Sequence, residues 1–124
     1  MQDIINRVNE TDLAELYAEL KNIEKPNPDV LNQFGTEFDV LVWKAILTIP
    51  LGATQTYKDI AIKINRPNAC RAVANACGRN KLPLIIPCHR VVGSQNMGGY
   101  KWGLALKQKL LKFEKELVLF ELMR

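Results

Sequence analysis

A mainly α-helical domain built round a helix-turn-helix, with at most a short strand pair, is predicted by three observations in this 124-residue sequence. Apolar residues recur at helical spacing along most of the chain. Two Thr-x-x-Asp signatures and several Pro, Gly and Asn breaks mark where helices begin and end. The one extended apolar stretch, Lys81 to Pro87, is short. The length suits one domain able to bury its own core.

Composition narrows the functional classes. Apolar residues make up 48% and charged residues 24%, with no apolar run of bilayer length and no signal-peptide pattern. An intracellular, cytoplasmic protein with no membrane partner is expected. Cys70, Cys77 and Cys88 do not make a disulfide framework, and one histidine without a Cys-x-x-Cys pair lacks zinc-ligand spacing, so no metal and no cofactor are expected. The net charge of +4 conceals an asymmetry. Residues 1–57 carry four basic and nine acidic side chains, whereas residues 58–115 carry twelve basic and two acidic ones. So basic a segment attracts a polyanion, with nucleic acid the leading candidate and a solvated basic face the bland alternative.

Taken in order, residues 1–25 read as a packing helix, with Leu13, Leu16, Tyr17 and Leu20 on one face and caps at Asn9 or Thr11. Lys25-Pro26-Asn27-Pro28 breaks it and opens a stiff, extended connector to about Gly35. Residues 1–34 are therefore read as a short helical segment and linker, and 35–124 as the domain proper. Thr36 with Asp39 caps a core helix whose stripe is Phe38, Leu41, Val42, Ala45, Ile46 and Ile49. Pro50 and Gly52 end it. Thr56 with Asp59 opens a helix burying Ile60, Ala61 and Ile64.

Asn65-Arg66-Pro67-Asn68 is a tight turn, and Asn68 is expected to cap a helix over about 69–79. Cys70, Val73, Ala74 and Cys77 share its inner face. Arg71, Ala72, Asn75, Ala76 and Arg79 share the outer one, where small residues and arginines suit close approach to DNA. The Gly93–Gly99 loop is irregular and lacks a phosphate-cradle signature. A final helix over about 104–122 places Leu104, Leu111, Val118 and Leu122 near heptad spacing, with Glu114 alone among lysines.

Between Ile85 and Val92 an apolar run leads into Pro87-Cys88-His89-Arg90. A free thiol is only a few per cent ionised at neutral pH, so a reacting cysteine needs a proton acceptor or positive charge nearby, and His89 and Arg90 are at hand. Cysteine is also a common packing residue. On an extended segment adjacent side chains point apart, so direct contact between Cys88 and His89 is not guaranteed and a bridging water is the alternative.

These motifs together resemble the C-terminal catalytic domain of the O6-alkylguanine-DNA alkyltransferases, also called methylated-DNA-protein-cysteine methyltransferases. The likeness runs from about Gly35 to Glu114 through Ile49-Pro50-Leu51-Gly52, Thr56-Tyr57, Arg71-Ala72-Val73, Gly78-Arg79-Asn80, Pro87-Cys88-His89-Arg90-Val91, Gly99-Tyr100 and Gly103-Leu104. The resemblance implies a winged-helix-like catalytic and DNA-binding domain. Cys88 would take an alkyl group from O6 of guanine in double-stranded DNA, irreversibly and once per molecule. It further implies that His89 accepts the thiol proton through a water and Glu114 holds the imidazole. Tyr57 would protonate the departing base, and Asn80 would fix the active-site turn.

By the same resemblance, Val91, Tyr100, Lys101 and Trp102 belong to the substrate pocket, with the carbonyl of Val91 and the amide of Lys101 reading the guanine edge. Arg71 fills the gap left by a flipped nucleotide, and Ala72, Asn75 and Arg79 join it in the minor groove. A monomer is expected. The chain departs from the family in a short N-terminal segment, a loop about one residue shorter between Val92 and Tyr100, and Trp102 where some relatives have glycine. Trp102 is expected to narrow the pocket in favour of methyl over benzyl adducts. Two other classes are a non-catalytic lesion-binding protein of the alkyltransferase-like kind, in which the nucleophile is replaced, and a winged-helix transcription factor, which would leave Cys88, His89 and Glu114 unexplained.

Overall fold

In the computed structural model, which describes residues 5–8 and 12–124, helices carry nearly all the regular structure. Residues 5–8 are helical, and α1 (Leu13–Leu20) follows with Asp12 as its cap, its carboxylate accepting from Ala14 N at 2.8 Å. The caps expected at Asn9 and Thr11 lie outside the described residues. The connector is not extended throughout, as expected, but holds a short helix, α2 (Pro28–Leu31). Asn27 accepts from Val30 N, and Pro28 sits at the first helical position, where its missing N–H costs nothing.

Both Thr-x-x-Asp signatures form reciprocal capping boxes. Thr36 and Asp39 open α3 (Glu37–Ile46), and Thr56 and Asp59 open α4 (Tyr57–Lys63). The buried stripe of α3 is rotated from the expected one: Val40 and Trp43 are buried while Leu41 is 38% exposed. The cause is that α3 packs against both α4 and α5 (Cys70–Gly78), and Trp43 reaches across to donate to the Ala76 carbonyl at 3.0 Å. Helices α4 and α5 form the expected helix-turn-helix. The cap expected at Asn68 is not made: Ala69 holds the cap position, and no side chain bonds the free amides.

Two strands of two residues each complete the framework. β1 (Gln55–Thr56) runs parallel to β2 (Val91–Val92), pairing Gln55 with Val91 and Thr56 with Val92. Thr56 is thus both the end of β1 and the cap of α4, so the start of α4 is fastened to the segment that follows Cys88.

The long α6 (Leu104–Leu122) closes the molecule. Its buried face is Lys107, Leu110 and Glu114, not the expected heptad line, since Leu104 and Leu122 are exposed. This face is polar because both charged groups find partners inside, which offsets their desolvation. One apolar cluster joins α3, α4 and α5; a second, including Val8, Leu16, Tyr17, Leu84 and Leu110, seats α1 on α6. Among the described residues no helix is long and apolar enough to cross a membrane.

Candidate active site

The segment after α5 is shaped by one buried side chain. Asn80 Nδ2 donates to the Ile86 carbonyl at 2.9 Å and to Cys88 Sγ at 3.1 Å, while Oδ1 accepts from Leu82 N at 2.8 Å. Both polar ends are satisfied, and the chain between is held as a compact turn in which Leu84 takes φ +70°. Cys88 and His89 do not lie on an extended strand, as expected from Pro87. Cys88–Arg90 form a single 3₁₀ turn, closed by Arg90 N donating to the Pro87 carbonyl at 2.9 Å. The tight turn carries both side chains into the interior, where Cys88 is 4% and His89 1% exposed.

His89 Nε2 lies 2.7 Å from Glu114 Oε2. Burial alone would raise the Glu114 carboxyl, but hydrogen bonds from His89 and Arg90 outweigh it and hold the pKa at about 2. An ionised carboxylate only accepts, so Nε2 carries the hydrogen. Burial also pushes the His89 pKa down, against the pull of Glu114, and the resting ring is neutral. Its remaining nitrogen, Nδ1, is buried and has no hydrogen bond within the described residues, leaving a bare acceptor. Arg90 steadies the carboxylate through Nε to Oε1 at 2.8 Å and Nη2 to Oε2 at 3.0 Å, and donates from Nη1 to the Ile49 carbonyl. Tyr17 adds a hydroxyl donor to Oε2 at 2.6 Å.

Burial raises the Cys88 thiol pKa; the Asn80 bond and the charge of Lys107 pull against that rise. Lys107 is fully buried, with Nζ donating to the carbonyls of Val91 at 2.6 Å and Gly99 at 2.9 Å. Burial lowers its own pKa, and the nearby thiols Cys88 and Cys77 act in the opposite direction. Lys107 stands in the sequence as one of several lysines on the last helix, within the stretch that carries the family likeness, and no role was expected of it. Its spacing of seven from Glu114 was the available signal, because it puts both on one face.

Cys88 opens on a cavity of about 180 Å³. Tyr57, Tyr100 and Lys101 line it, joined by Ala74, Cys77 and Gly78 of α5. Cys77, read from the sequence as core, therefore shares the cavity wall with Cys88, but burial pushes its thiol up to about 12, which keeps it protonated at neutral pH. Burial also raises the Tyr57 phenol, so it retains its proton, and its oxygen accepts from Gly99 N at 3.2 Å. Glycine is required at 98, where φ is +70° and an added Cβ would stand 2.6 Å from Tyr57 Oη.

Two expected pocket residues lie elsewhere. Trp102 is not among the cavity-lining residues; it packs edge-on against Tyr100 with ring centroids 5.3 Å apart, under the Lys101 ammonium. Any narrowing by Trp102 is therefore exerted through Tyr100. Val91 is buried outside the lining, its carbonyl taken up by Lys107.

On the outer face of α5, Arg71, Ala72 and Asn75 are exposed together. Ala76, expected with them, is buried under Trp43. Arg79, also expected there, has its guanidinium bidentate on Asp39, with Nη2 2.6 Å from Oδ1 and Nε 2.9 Å from Oδ1 and 3.0 Å from Oδ2. Its first partner is thus the cap of α3. Among the described residues no three His, Cys, Asp or Glu side chains are arranged to hold a metal ion.

Residues 37–116 match the family described as 6-O-methylguanine DNA methyltransferase, DNA binding domain. A probable methylated-DNA–protein-cysteine methyltransferase of Acanthamoeba polyphaga mimivirus is 60% identical over 82 residues, covering 66% of this chain and 55% of that protein. The crystal structure of Mycobacterium tuberculosis OGT in complex with DNA is similar at 48% identity and TM-score 0.65, over 66% of this chain and 52% of that one. S. pombe Atl1, solved with damaged DNA containing O6-carboxymethylguanine, is more distant at 28% identity and TM-score 0.57, over 63% of this chain and 75% of that one. The chain spans about half the length, or less, of the curated relatives it matches.

Proposed function

The chain belongs to the 6-O-methylguanine DNA methyltransferase family, and we propose that it repairs DNA by moving a methyl group from O6 of guanine directly and irreversibly to Cys88. The observation that carries this reading is a cavity-facing thiol whose chain neighbour is a buried neutral histidine. His89 has its Nε2–H committed to Glu114 and its Nδ1 bare.

In the proposed step, the Cys88 proton passes through a water to His89 Nδ1, and Glu114 stabilises the imidazolium that forms. Sulfur attacks the methyl carbon; the S–C bond forms as the C–O6 bond breaks, and guanine leaves with a proton from the Tyr57 hydroxyl. The thioether is a poor leaving group, so each molecule acts once. Asn80 and Lys107 favour the thiolate as it develops, the one by hydrogen bonding and the other by charge.

A guanine inside a duplex does not reach a buried thiol, so the nucleotide is flipped into the cavity at a cost of about a few kcal/mol. The exposed Arg71, Ala72 and Asn75 on α5 support a minor-groove approach, with Arg71 entering the vacated stack. On this reading the protein is a cytoplasmic monomer, and residues 35–124 carry the chemistry and the DNA contact.

Mass spectrometry of the intact protein and its peptides, after mixing with a duplex containing one O6-methylguanine, tests the proposal. A single methyl gain on Cys88, absent in Cys88→Ala, is expected. Tight binding to the lesion without a mass change would overturn it in favour of lesion recognition alone, as would indifference to the lesion in favour of a plain DNA-binding domain.

A further inference from the structure

The carboxylate of Glu114 has three donors on one oxygen. Oε2 accepts from His89 Nε2 at 2.7 Å, from Arg90 Nη2 at 3.0 Å and from Tyr17 Oη at 2.6 Å. The first two come from the 3₁₀ turn beside Cys88. The third comes from α1, ninety-seven residues away in sequence from Glu114 and outside the span matched by the family. Tyr17 is 8% exposed, its ring packs on Phe113 of α6 with centroids 4.9 Å apart, and it belongs to the apolar cluster that seats α1.

We propose that Tyr17 is a positioning residue for the active site: by donating to the oxygen that His89 also uses, it sets the basicity of His89 and makes the relay depend on docking of the N-terminal helix. The inference rests on the alkyl-transfer reading only for its kinetic consequence. Its physical basis is local. A hydroxyl donor on Oε2 offsets part of the carboxylate charge that would stabilise a protonated His89, and its dipole points its positive end towards the same oxygen. Removing it leaves more of that charge to the imidazole, so the ring holds a proton more tightly.

The other groups acting on His89 are identified. Glu114 and Lys107 act from α6 and Arg90 from its own turn. Tyr100 faces it from the loop before α6 with ring centroids 6.4 Å apart, and Cys88 is its chain neighbour. None of these changes in Tyr17→Phe, which keeps the ring and deletes one oxygen. Burial, and then Glu114, raise the Tyr17 pKa, so the hydroxyl is a neutral donor across the whole working range.

The chain has a single histidine, so its imidazole nitrogens report this site without assignment. The experiment is a nitrogen-15 NMR titration of the full chain, with a pH profile of single-turnover transfer from an O6-methylguanine duplex, for wild type, Tyr17→Phe and Phe113→Leu. In Tyr17→Phe the His89 midpoint moves to higher pH, and the acid limb of the rate profile moves with it. Below both midpoints the rate falls about tenfold for each pH unit of displacement. Phe113→Leu, which trims the ring packed on Tyr17 but removes no donor, lowers thermal stability and moves both midpoints less than Tyr17→Phe does. An unchanged His89 titration in a folded Tyr17→Phe overturns the proposal. Absence of methyl transfer in the wild type would overturn the functional reading, while the titration would still decide this one.

Discussion

His89 donates from Nε2 to Oε2 of Glu114 across 2.7 Å, and that bond determines which ring nitrogen is left to take a proton. The donor is on the turn that carries the thiol, and the acceptor is on the last helix. The bond exists only when α6 is docked.

Glu114→Gln tests the relay directly. An amide does not stabilise an imidazolium as a carboxylate does, and its NH₂ competes for the wrong tautomer. Single-turnover methyl transfer is expected to slow by about 10²- to 10⁴-fold. Because the change also breaks a buried charge network with Arg90, unfolding in urea is expected to show a loss of about 3–5 kcal/mol. Wild-type transfer rates in a folded variant would remove His89 as the base.

Acid should destabilise the protein in two steps. Burial lowers the His89 pKa below its ordinary 6.5, so the unfolded chain binds the proton first; this contribution is full above 6.5 and is lost as pH falls through the folded value. Glu114 goes from 4.5 unfolded to about 2 folded, so its share is present above 4.5 and disappears as pH falls through about 2. Denaturant midpoints measured from pH 8 to pH 2 should decline through both windows. In Glu114→Gln the lower decline should flatten.

Lys107→Met keeps the length of the side chain and deletes its charge. The buried Val91 carbonyl loses its donor at about 1–3 kcal/mol, while the Gly99 carbonyl, on an exposed residue, can turn to water instead. Lys107 is one of the charges that restrain the Cys88 pKa, so the thiol should ionise at still higher pH. The pH dependence of Cys88 alkylation by iodoacetamide, followed by peptide mass spectrometry, measures this.

The two arginines of α5 should separate in function. Arg71→Ala, on the exposed face, is expected to slow transfer from duplex DNA while leaving the unfolding free energy within about 0.5 kcal/mol of wild type. Arg79→Ala strands the buried Asp39 carboxylate and should cost about 1–2 kcal/mol of stability, discounted because half of the Arg79 side chain is in solvent. Thermal melts and transfer rates on the same preparations distinguish them. The opposite assignment would mean that Arg79 leaves Asp39 to bind DNA.

Local chemistry was readable from the sequence wherever the responsible groups are near neighbours along the chain. The caps at Thr36 and Thr56 need only a residue three places on, and both formed. The helix-turn-helix follows from apolar spacing and the Asn65–Asn68 turn, and Cys88 with His89 stands out because a nucleophile and the only histidine interrupt an apolar run. What the sequence by itself determined is therefore the helical class, the thiol with a histidine beside it, and the exposed face of α5 that carries Arg71, Ala72 and Asn75.

Packing between distant segments decided the rest. Burial of Lys107 and Glu114 goes against the ordinary preference of charged side chains for water and is stable only because Val91, Gly99, His89 and Arg90 arrive from elsewhere to pair with them. Heptad spacing on α6 accordingly pointed to the wrong face. The ion pair of Arg79 with Asp39, forty residues away, was likewise not visible in the sequence. Tyr17 read as a packing residue because nothing near it in sequence shows that its hydroxyl ends on Glu114. Hydrophobic period is a one-dimensional signal that survives in the sequence, whereas the pairing of buried charges is a three-dimensional condition met only once the helices have docked.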